Sequence, residues 1–532
     1  MPSIAGLERL LALWNRYSRG EPKPSDSRTW WELFGYLADV RMWSARDRID
    51  PSLSPFIAER VARNPQRPVR LELDLWYRGD PELRQAARVY MEELVAQVGG
   101  VLLDFGTIEA IEYQAALVEI PVSQALLLQG LEGPIANANP VMRVRPQSLY
   151  SAPSRESEDN GLPVRTAPTA PDIRPAVAAL LDGYPVQNHD LLRNRVDIEE
   201  VDITGESVPV DRRFHGTAMA SLILHGDLNY DEPALTRTLK IVPILAAPQG
   251  LHGESTPLDK LPVLMVHRAV KALAIGIDGN PPKGESVVVI NHSICDEEAP
   301  FARRPTPWAK LLDHLAHEHR LLFIVSSKNN HHSFDLDTYP DIASLTAANP
   351  TERQVVLLRS MERSKGTRSI LSPAETLNGL TVGALHSDGC EVDVLGHIEP
   401  FDQVTGVVNL GTAVGLGINR ALKPDMIEAG GRQFIAAESD GGVVSVRGLE
   451  VPTSGQLVAA PDLFGGASTK TLYSTGTSNA AALVTRAGLR IADILEDLFL
   501  QDGEIWSASR TRAVVMKALL AHGCDWGSEV AP

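Results

Sequence analysis

Cysteine is scarce in this sequence, which holds only Cys295, Cys390 and Cys524 among its 532 residues. A sparse and odd set excludes a disulfide scaffold and favours a reducing compartment. A basic excess is also missing, because 50 Lys and Arg residues stand against 67 Asp and Glu, which gives a net charge of −17. Since phosphate binding needs a basic face, we expect no nucleic-acid partner.

Long hydrophobic runs are absent as well. No window approaches the roughly 18 consecutive apolar residues of a membrane-spanning helix, so we expect no membrane partner. The first apolar stretch, residues 7–17, is interrupted by Glu8, Arg9 and Arg16 and therefore lacks the form of a secretory signal. We predict a cytoplasmic protein.

The remaining composition is that of a folded protein. Hydrophobic residues make up 44% and charged residues 22% of the chain, close to globular averages. Residues 1–66 show the i, i+3, i+4 spacing of amphipathic helices and hold Trp14, Trp30, Trp31 and Trp43. This helical N-terminal segment is either a small core or a docking surface, because tryptophan is a favoured interface anchor.

Residues 67–147 predict a compact α+β domain. Apolar residues alternate from Val69 to Tyr77 as in a strand, and Asp80 with Pro81 then begins a helix that ends at Gly99. Further segments follow as two strands, a short helix and a strand, at residues 101–105, 115–120, 123–128 and 141–144. The resulting order βαββαβ is the ferredoxin-like, split-βαβ arrangement.

Two different compositions follow that domain. Residues 148–171 are rich in Ser, Pro, Asp and Glu and predict a flexible linker. Residues 172–532 alternate apolar runs with helix-length segments, the pattern of a parallel sheet that helices cover on both faces. The predicted strands are residues 176–181, 239–245, 286–291, 321–326 and 380–382.

Three blocks of the last region carry chemistry, although each has an ordinary structural explanation. Asp182 ends an apolar strand, where a carboxylate either caps or lines a ligand site. His215 and Ser478 each begin a helix, in FHGTAMASLIL and STGTSNAAALV. A serine at a helix start is commonly a cap, yet the free backbone amides there also stabilise a developing oxyanion. The order Asp, His, Ser is that of subtilisin-type triads.

Five blocks in this order resemble the subtilisin-like serine peptidases, or subtilases. HGTAMAS and GTSNAA are similar to the blocks of the family's catalytic histidine and serine, and LKPDMIEAGG to the segment that precedes the serine. VVVINHSIC is similar to the strand of the substrate groove, and ILSPAETLNGLTVGA to the stretch after the oxyanion residue. The resemblance implies a three-layer α/β/α fold with a mostly parallel central sheet.

The same resemblance implies the site residues of a serine endopeptidase. Ser478 is the expected nucleophile, His215 the base and Asp182 the group that orients the imidazole. The oxyanion donor is expected at Asn329, with Asn330 as the alternative. The expected groove residues are Ser293, Ile294, Cys295, Ser326 and Ser327.

The sequence departs from the family at three positions beside these residues. Gly183 stands where the family usually has Ser or Thr, Lys328 where it has Gly, and Asn479 where it has Met. None of these changes removes a reacting group. The alternative function is a catalytically silent interaction protein on the subtilase scaffold that binds a partner through the Trp-rich N-terminal segment. Cys295 replaces a common glycine, which predicts a narrower entrance to the pocket for the residue before the scissile bond.

The resemblance also bears on regulation and partners. Residues 67–147 resemble the propeptide of secreted subtilases, either a segment cut from the enzyme in the linker or a permanent regulatory domain. The layout resembles bacterial cytoplasmic subtilases that are encoded beside AAA-type ATPases and linked to phage defence, which implies such an ATPase as partner. We expect no cofactor, and no metal at Asp313, His314, His317 and His319, because the spacing of a zinc site is missing.

Overall fold

The structure is a computed structural model that describes residues 4–25, 27–152, 174–248, 253–296, 299–301, 304–392, 394–402, 406–462 and 468–524. The chain forms two compact units. The first contains Met1–Trp76, Gln85–Val101 and Val118–Pro146, and the second contains Tyr77–Arg84, Leu102–Leu117 and Gln147–Pro532. The domain boundaries expected at residues 66, 147 and 171 stay predictions.

The N-terminal segment is helical, as its spacing predicts. Its helices are α1 (Ile4–Ser18), α2 (Arg28–Phe34), α3 (Ala45–Arg48) and α4 (Leu53–Arg63). Phe34 is buried, and the ring of Trp14 meets it edge-on at 5.3 Å. Trp30 and Tyr36 are 46% and 89% exposed, so the aromatic residues of this segment supply both a small core and an open surface.

The next segment has the predicted order βαββαβ. Its elements are β1 (Val69–Leu75), α5 (Pro81–Gln97), β2 (Val101–Ile108), β3 (Tyr113–Ile120), α6 (Val122–Gln129), α7 (Gly133–Ala136) and β4 (Val141–Pro146). The four strands form one sheet in the order β2-β3-β1-β4, and β1 pairs antiparallel with β4. The alternating pattern of Val69, Leu71, Leu73 and Leu75 buries these side chains completely or nearly so.

The start of the segment predicted as a linker is a strand, β5 (Tyr150–Ala152). Tyr150 and Ala152 are buried. The composition misses this strand because it is held by backbone pairing and one aromatic anchor, which need no apolar run. Residues 153–171 of the predicted linker lie outside the described residues.

The rest of the second unit alternates strands and helices. The strands are β6 (Ala178–Gly183), β7 (Val196–Ile198), β8 (Leu239–Leu245), β9 (Glu254–Ser255), β10 (Val289–His292), β11 (Cys295–Asp296), β12 (Leu322–Ser326), β13 (Phe334–Leu336), β14 (Leu380–Leu385), β15 (Gly415–Leu416), β16 (Leu422–Lys423), β17 (Met426–Ala429), β18 (Phe434–Asp440), β19 (Val443–Leu449), β20 (Gln456–Ala459) and β21 (Thr471–Ser474). The helices are α8 (Phe214–His225), α9 (Pro262–Ala274), α10 (Pro307–His319), α11 (Ile342–Ala347), α12 (Pro350–Ser364), α13 (Thr477–Gln501) and α14 (Arg512–His522).

A seven-stranded parallel sheet forms the centre of this unit, in the order β17-β14-β12-β10-β6-β8-β7. Successive strand residues enter opposite hydrophobic clusters: Leu180 packs with α8 and α13, whereas Leu181 packs with α9 and α10. Such alternation requires helices on both faces. The predicted three-layer α/β/α fold is therefore confirmed, and it brings the carboxyl ends of β6, β10 and β12 to one edge.

A smaller antiparallel sheet, in the order β13-β19-β18, lies within the same unit. It shares a hydrophobic cluster with α11 and α12 that includes Leu336, Leu345 and Val444. Within the described ranges, no helix is long and apolar enough to span a bilayer.

Candidate active site

Asp182 and His215 meet where a central strand ends. Asp182 is the fifth residue of β6 and is fully buried, and His215 is the second residue of α8. Asp182 Oδ1 lies 2.6 Å from His215 Nδ1. Burial lowers the pKa of His215, but the charge and hydrogen bond of Asp182 outweigh it, so the pKa of this imidazole lies above its ordinary value.

A second histidine, His292, lies beside this pair and stays neutral. His292 Nδ1 is 3.1 Å from the carbonyl oxygen of Leu181, and its ring meets Trp308 edge-on at 5.0 Å. Burial lowers the pKa of His292 to about 4. At neutral pH the imidazole next to the Asp182 strand therefore adds no charge to the site.

Ser478 is the second residue of the 25-residue helix α13. Its Oγ donates a hydrogen bond to the backbone carbonyl of Ser293 at 2.8 Å. Within the part of the chain that the structure describes, no hydrogen bond joins Ser478 to His215. The neighbouring Asn479 is buried, and its Oδ1 accepts a hydrogen bond from Ser474.

Asn329 lies in the loop after β12 and contacts the start of the serine helix. Its Oδ1 accepts hydrogen bonds from the backbone N–H and the hydroxyl of Thr477, at 2.8 and 3.1 Å. Gly476 has φ +148°, and a Cβ atom there would lie 2.6 Å from Asn329 Nδ2. Glycine therefore permits the approach of Asn329, and Nδ2 is the amide atom left to donate.

Asn330 is oriented differently from its neighbour. Its Oδ1 accepts from the backbone N–H of His332, and its own N–H donates to the carbonyl of Gly411. Both hydrogen bonds of Asn330 therefore stabilise the loop after β12. Lys328, on the other side of Asn329, adopts φ +104°, a backbone conformation that favours glycine.

The expected groove residues fall into two groups. Ser293 and Ile294 are buried after β10, and Cys295 begins β11. Ser326 ends β12 and pairs with Val382 of β14. The N–H of Ser327 donates a hydrogen bond to the carbonyl of Val382. The second group therefore belongs to the central sheet at the strand end that leads to Asn329.

The strand β5 lies between β11 and β9. Ser151 pairs antiparallel with Cys295 on one side and with Ser255 on the other. The ring of Tyr150 stacks on Trp308 with 3.3 Å between the centroids. Residues of this chain thus occupy an extended position between two strands, in the manner of a bound peptide.

Glu254, in β9, is a buried acid that no motif of the sequence singles out. Its Oε2 accepts a hydrogen bond from the backbone N–H of His215 at 2.6 Å. The one signal in the sequence was Gly183, because a residue without a side chain after Asp182 leaves room for a neighbour. No pattern in the sequence pointed to residue 254 as that neighbour.

The histidines near α10 do not form a metal cluster. Asp313 accepts hydrogen bonds from the backbone N–H groups of Leu377 and Asn378, so its carboxylate holds a loop. Among the described residues, no group of three or more His, Cys, Asp and Glu side chains is arranged to hold a metal ion.

Comparison with known proteins identifies a family for this chain. Residues 159–525 match the family model of the subtilase family. A curated relative, the uncharacterized protein y4bN of Sinorhizobium fredii, is 30% identical over 127 residues, which are 23% of this chain and only 26% of that protein.

Solved structures were also found. The prenylagaramide maturation protease PagA is 17% identical over 67% of this chain and 86% of its own, with a TM-score of 0.35. The self-cleaved protease domain of PatA is 16% identical over 66% of this chain and 90% of its own, also with a TM-score of 0.35. Because the family model covers more than half of the chain, this chain belongs to the subtilase family.

Proposed function

We propose that this peptidase cleaves protein or peptide substrates through Asp182, His215 and Ser478, with Asn329 as the oxyanion donor. The observation that carries the proposal is the 2.6 Å contact between the buried Asp182 carboxylate and His215 Nδ1. This contact fixes the tautomer of the imidazole and leaves Nε2 as the atom that exchanges a proton. A carboxylate buried at the end of an apolar strand needs such a partner.

The reaction begins when the Ser478 hydroxyl leaves the Ser293 carbonyl and turns to His215. Ser478 Oγ then attacks the scissile carbonyl carbon while His215 accepts the hydroxyl proton. The imidazolium that forms is stabilised by Asp182 and later gives its proton to the leaving amine. Water completes the second half of the reaction by hydrolysing the acyl-enzyme.

The oxyanion is stabilised by groups at the start of α13. The position of Ser478 in the first turn offers free backbone N–H groups and the positive end of the helix dipole. Asn329 is oriented by Thr477 through its Oδ1, which supports Nδ2 as a donor toward the developing charge.

Labelling with a fluorophosphonate tests this proposal, because the probe reacts with an activated serine. We expect the full-length chain to be labelled and Ser478→Ala to be unlabelled. Ser439→Ala, which changes an exposed serine of β18, is the matched control and should label like the wild type. Absence of labelling in the wild type under every activating condition would favour the alternative, a catalytically silent interaction protein on the subtilase scaffold.

We further propose that the peptidase is autoinhibited by its own residues 150–152. Support comes from β5, which is paired on both edges and anchored by Tyr150. A substrate strand that binds between β9 and β11 must first displace it. Mass spectrometry of the wild type and Ser478→Ala distinguishes a self-cut propeptide from a permanent regulatory domain, since only the wild type is cut in the first case.

The biological setting is proposed on the sequence resemblance alone. On that basis the protein is a cytoplasmic protease of a phage-defence system with an AAA-type ATPase partner. The test is phage plaque formation on bacteria that carry the gene and its neighbouring ATPase gene, in wild-type and Ser478→Ala form. Equal plaque numbers in both strains would contradict the defence role without affecting the peptidase assignment.

A further inference from the structure

Glu254 caps the catalytic histidine helix from outside that helix. The residue that precedes α8, Arg213, provides no side-chain cap to its first turn. Glu254 Oε2 instead accepts from the N–H of His215, an amide in the first turn, where amides have no partner within the helix. The Glu254 side chain therefore fixes the backbone of the residue whose imidazole contacts Asp182.

The same carboxyl group fills the space in front of Gly183. A Cβ atom at Gly183 would lie 2.0 Å from Glu254 Oε1 and 3.0 Å from its carboxyl carbon. No ordinary side chain at residue 183 is compatible with Glu254 in this position. The two residues are thus a matched pair, one without a side chain and the other with a buried one.

Burial also sets the charge of this group. It raises the pKa of Glu254 to about 8, against the opposing hydrogen bond and charge of His215. The charged or titratable groups that face it are Asp182 at the end of β6 and His215 on α8, and Arg212 donates to the carbonyl of the preceding residue, Gly253. Burial therefore disfavours a carboxylate charge on Glu254 beside the imidazole.

The backbone of Glu254 lies on the edge where β5 binds. Glu254 pairs with Ala152 in the antiparallel ladder between β9 and β5. One residue therefore contacts the extended strand through its backbone and the histidine helix through its side chain.

We propose that Glu254 is a positioning residue of the peptidase reaction, which holds His215 against Asp182 and links its position to the strand bound at β9. This inference rests on the proposed function, because it assumes that His215 is the base. It assigns Glu254 no direct contact with the scissile bond. Its loss should lower the rate through the placement of His215.

The first experiment measures fluorophosphonate labelling rates of Glu254→Ala and Glu254→Gln against pH. We expect Glu254→Ala to label about 100-fold more slowly, the cost of a small misplacement of a reacting group. Glu254→Gln keeps an acceptor for the His215 N–H, so it should label at least about tenfold faster than Glu254→Ala. The wild-type profile should carry an inflection near pH 8 that Glu254→Gln lacks. Glu206→Gln, an exposed acid, is the control and should match the wild type.

The second experiment needs no activity and so separates this inference from the proposed function. Thermal unfolding is measured for Gly183→Ser, Glu254→Ala and the double variant. We expect Gly183→Ser to lower the Tm in the wild-type background and to lower it much less when Glu254 is alanine. Additive Tm changes would overturn the pairing, and wild-type labelling of Glu254→Ala would overturn the positioning role. If Ser478→Ala labels like the wild type while the Tm changes are non-additive, the proposed function fails and the pairing stands.

Discussion

Ser478 Oγ and the carbonyl of Ser293 are joined by a 2.8 Å hydrogen bond. The hydroxyl of the proposed nucleophile is thus held by the backbone that leads into β11, the proposed edge of the substrate groove. A buried network fixes that backbone: the Ser293 hydroxyl donates to Asn291 Oδ1, and Asn291 Nδ2 donates to Thr485 on the serine helix. The segment before β11 and helix α13 are therefore connected twice.

Asn291→Ala should weaken both connections. It leaves the Ser293 hydroxyl without its buried acceptor, which typically costs about 1–3 kcal/mol, whereas the Thr485 hydroxyl still donates to the carbonyl of Ala481. We expect a lower free energy of unfolding in urea and a slower fluorophosphonate reaction. Ser293→Ala removes only one hydroxyl and serves as the comparison. If Asn291→Ala is less stable but reacts with the fluorophosphonate at the wild-type rate, the network contributes to stability and not to the reactivity of Ser478.

Asn329→Ala tests the oxyanion donor. Removing one such donor typically lowers kcat by about 10²–10³, because its hydrogen bond forms in the transition state. KM for a peptide substrate should stay nearly unchanged. Asn330→Ala is the matched control, since its side chain holds the loop through His332. An undiminished kcat in Asn329→Ala would move the role to another group.

Lys328 tests the backbone geometry beside the donor. Its φ of +104° costs a residue with a Cβ atom about 1–3 kcal/mol, and glycine is free of most of this penalty. We expect Lys328→Gly to unfold with a free energy about 1 kcal/mol higher than Lys328→Ala. Both variants remove the charge, so their difference isolates the conformation. Equal stability would show that the loop relaxes without cost.

Tyr150→Ala tests the proposal that β5 inhibits the peptidase by lying between β9 and β11. Loss of the ring that stacks on Trp308 weakens β5, so the rate of labelling at Ser478 should rise at least about tenfold. Tyr339→Ala removes another buried tyrosine, in the cluster of the smaller sheet, and should leave the rate unchanged. Slower labelling of Tyr150→Ala would indicate that β5 supports the active conformation.

The buried histidine His292 predicts an acid dependence of stability. Its pKa is about 4 in the folded chain and about 6.5 when exposed, so only the unfolded chain binds its proton between these values. The protein should lose stability as pH falls from 6.5 toward 4. His292→Phe keeps a ring against Trp308 but has no proton to bind. As pH falls from 6.5 toward 4, the free energy of unfolding of His292→Phe should rise relative to that of the wild type by up to about 1.4 kcal/mol per pH unit. Urea unfolding at several pH values measures this difference.

Many of the strands could be predicted from the amino-acid sequence. The alternation of Val69 to Leu75 gave a strand, and the continuous apolar runs gave central strands, because a sheet covered on both faces leaves no polar positions. The apolar runs missed the short edge strands β7 and β17, in which Val196 is buried but Asp197 and Ile427 are exposed. Edge strands need few apolar residues, so their composition is not distinctive.

The sequence by itself determined the family, the three-layer fold and the residue types available for chemistry, because these follow from local periodicity and from blocks in a fixed order. Only the tertiary structure decided that Asp182 contacts His215, that Asn329 and not Asn330 adjoins Thr477, and that Glu254 lies against Gly183. These contacts join residues that are 33 to 148 positions apart. Distances of that kind depend on how strands and loops pack in three dimensions, which no local pattern of side chains encodes.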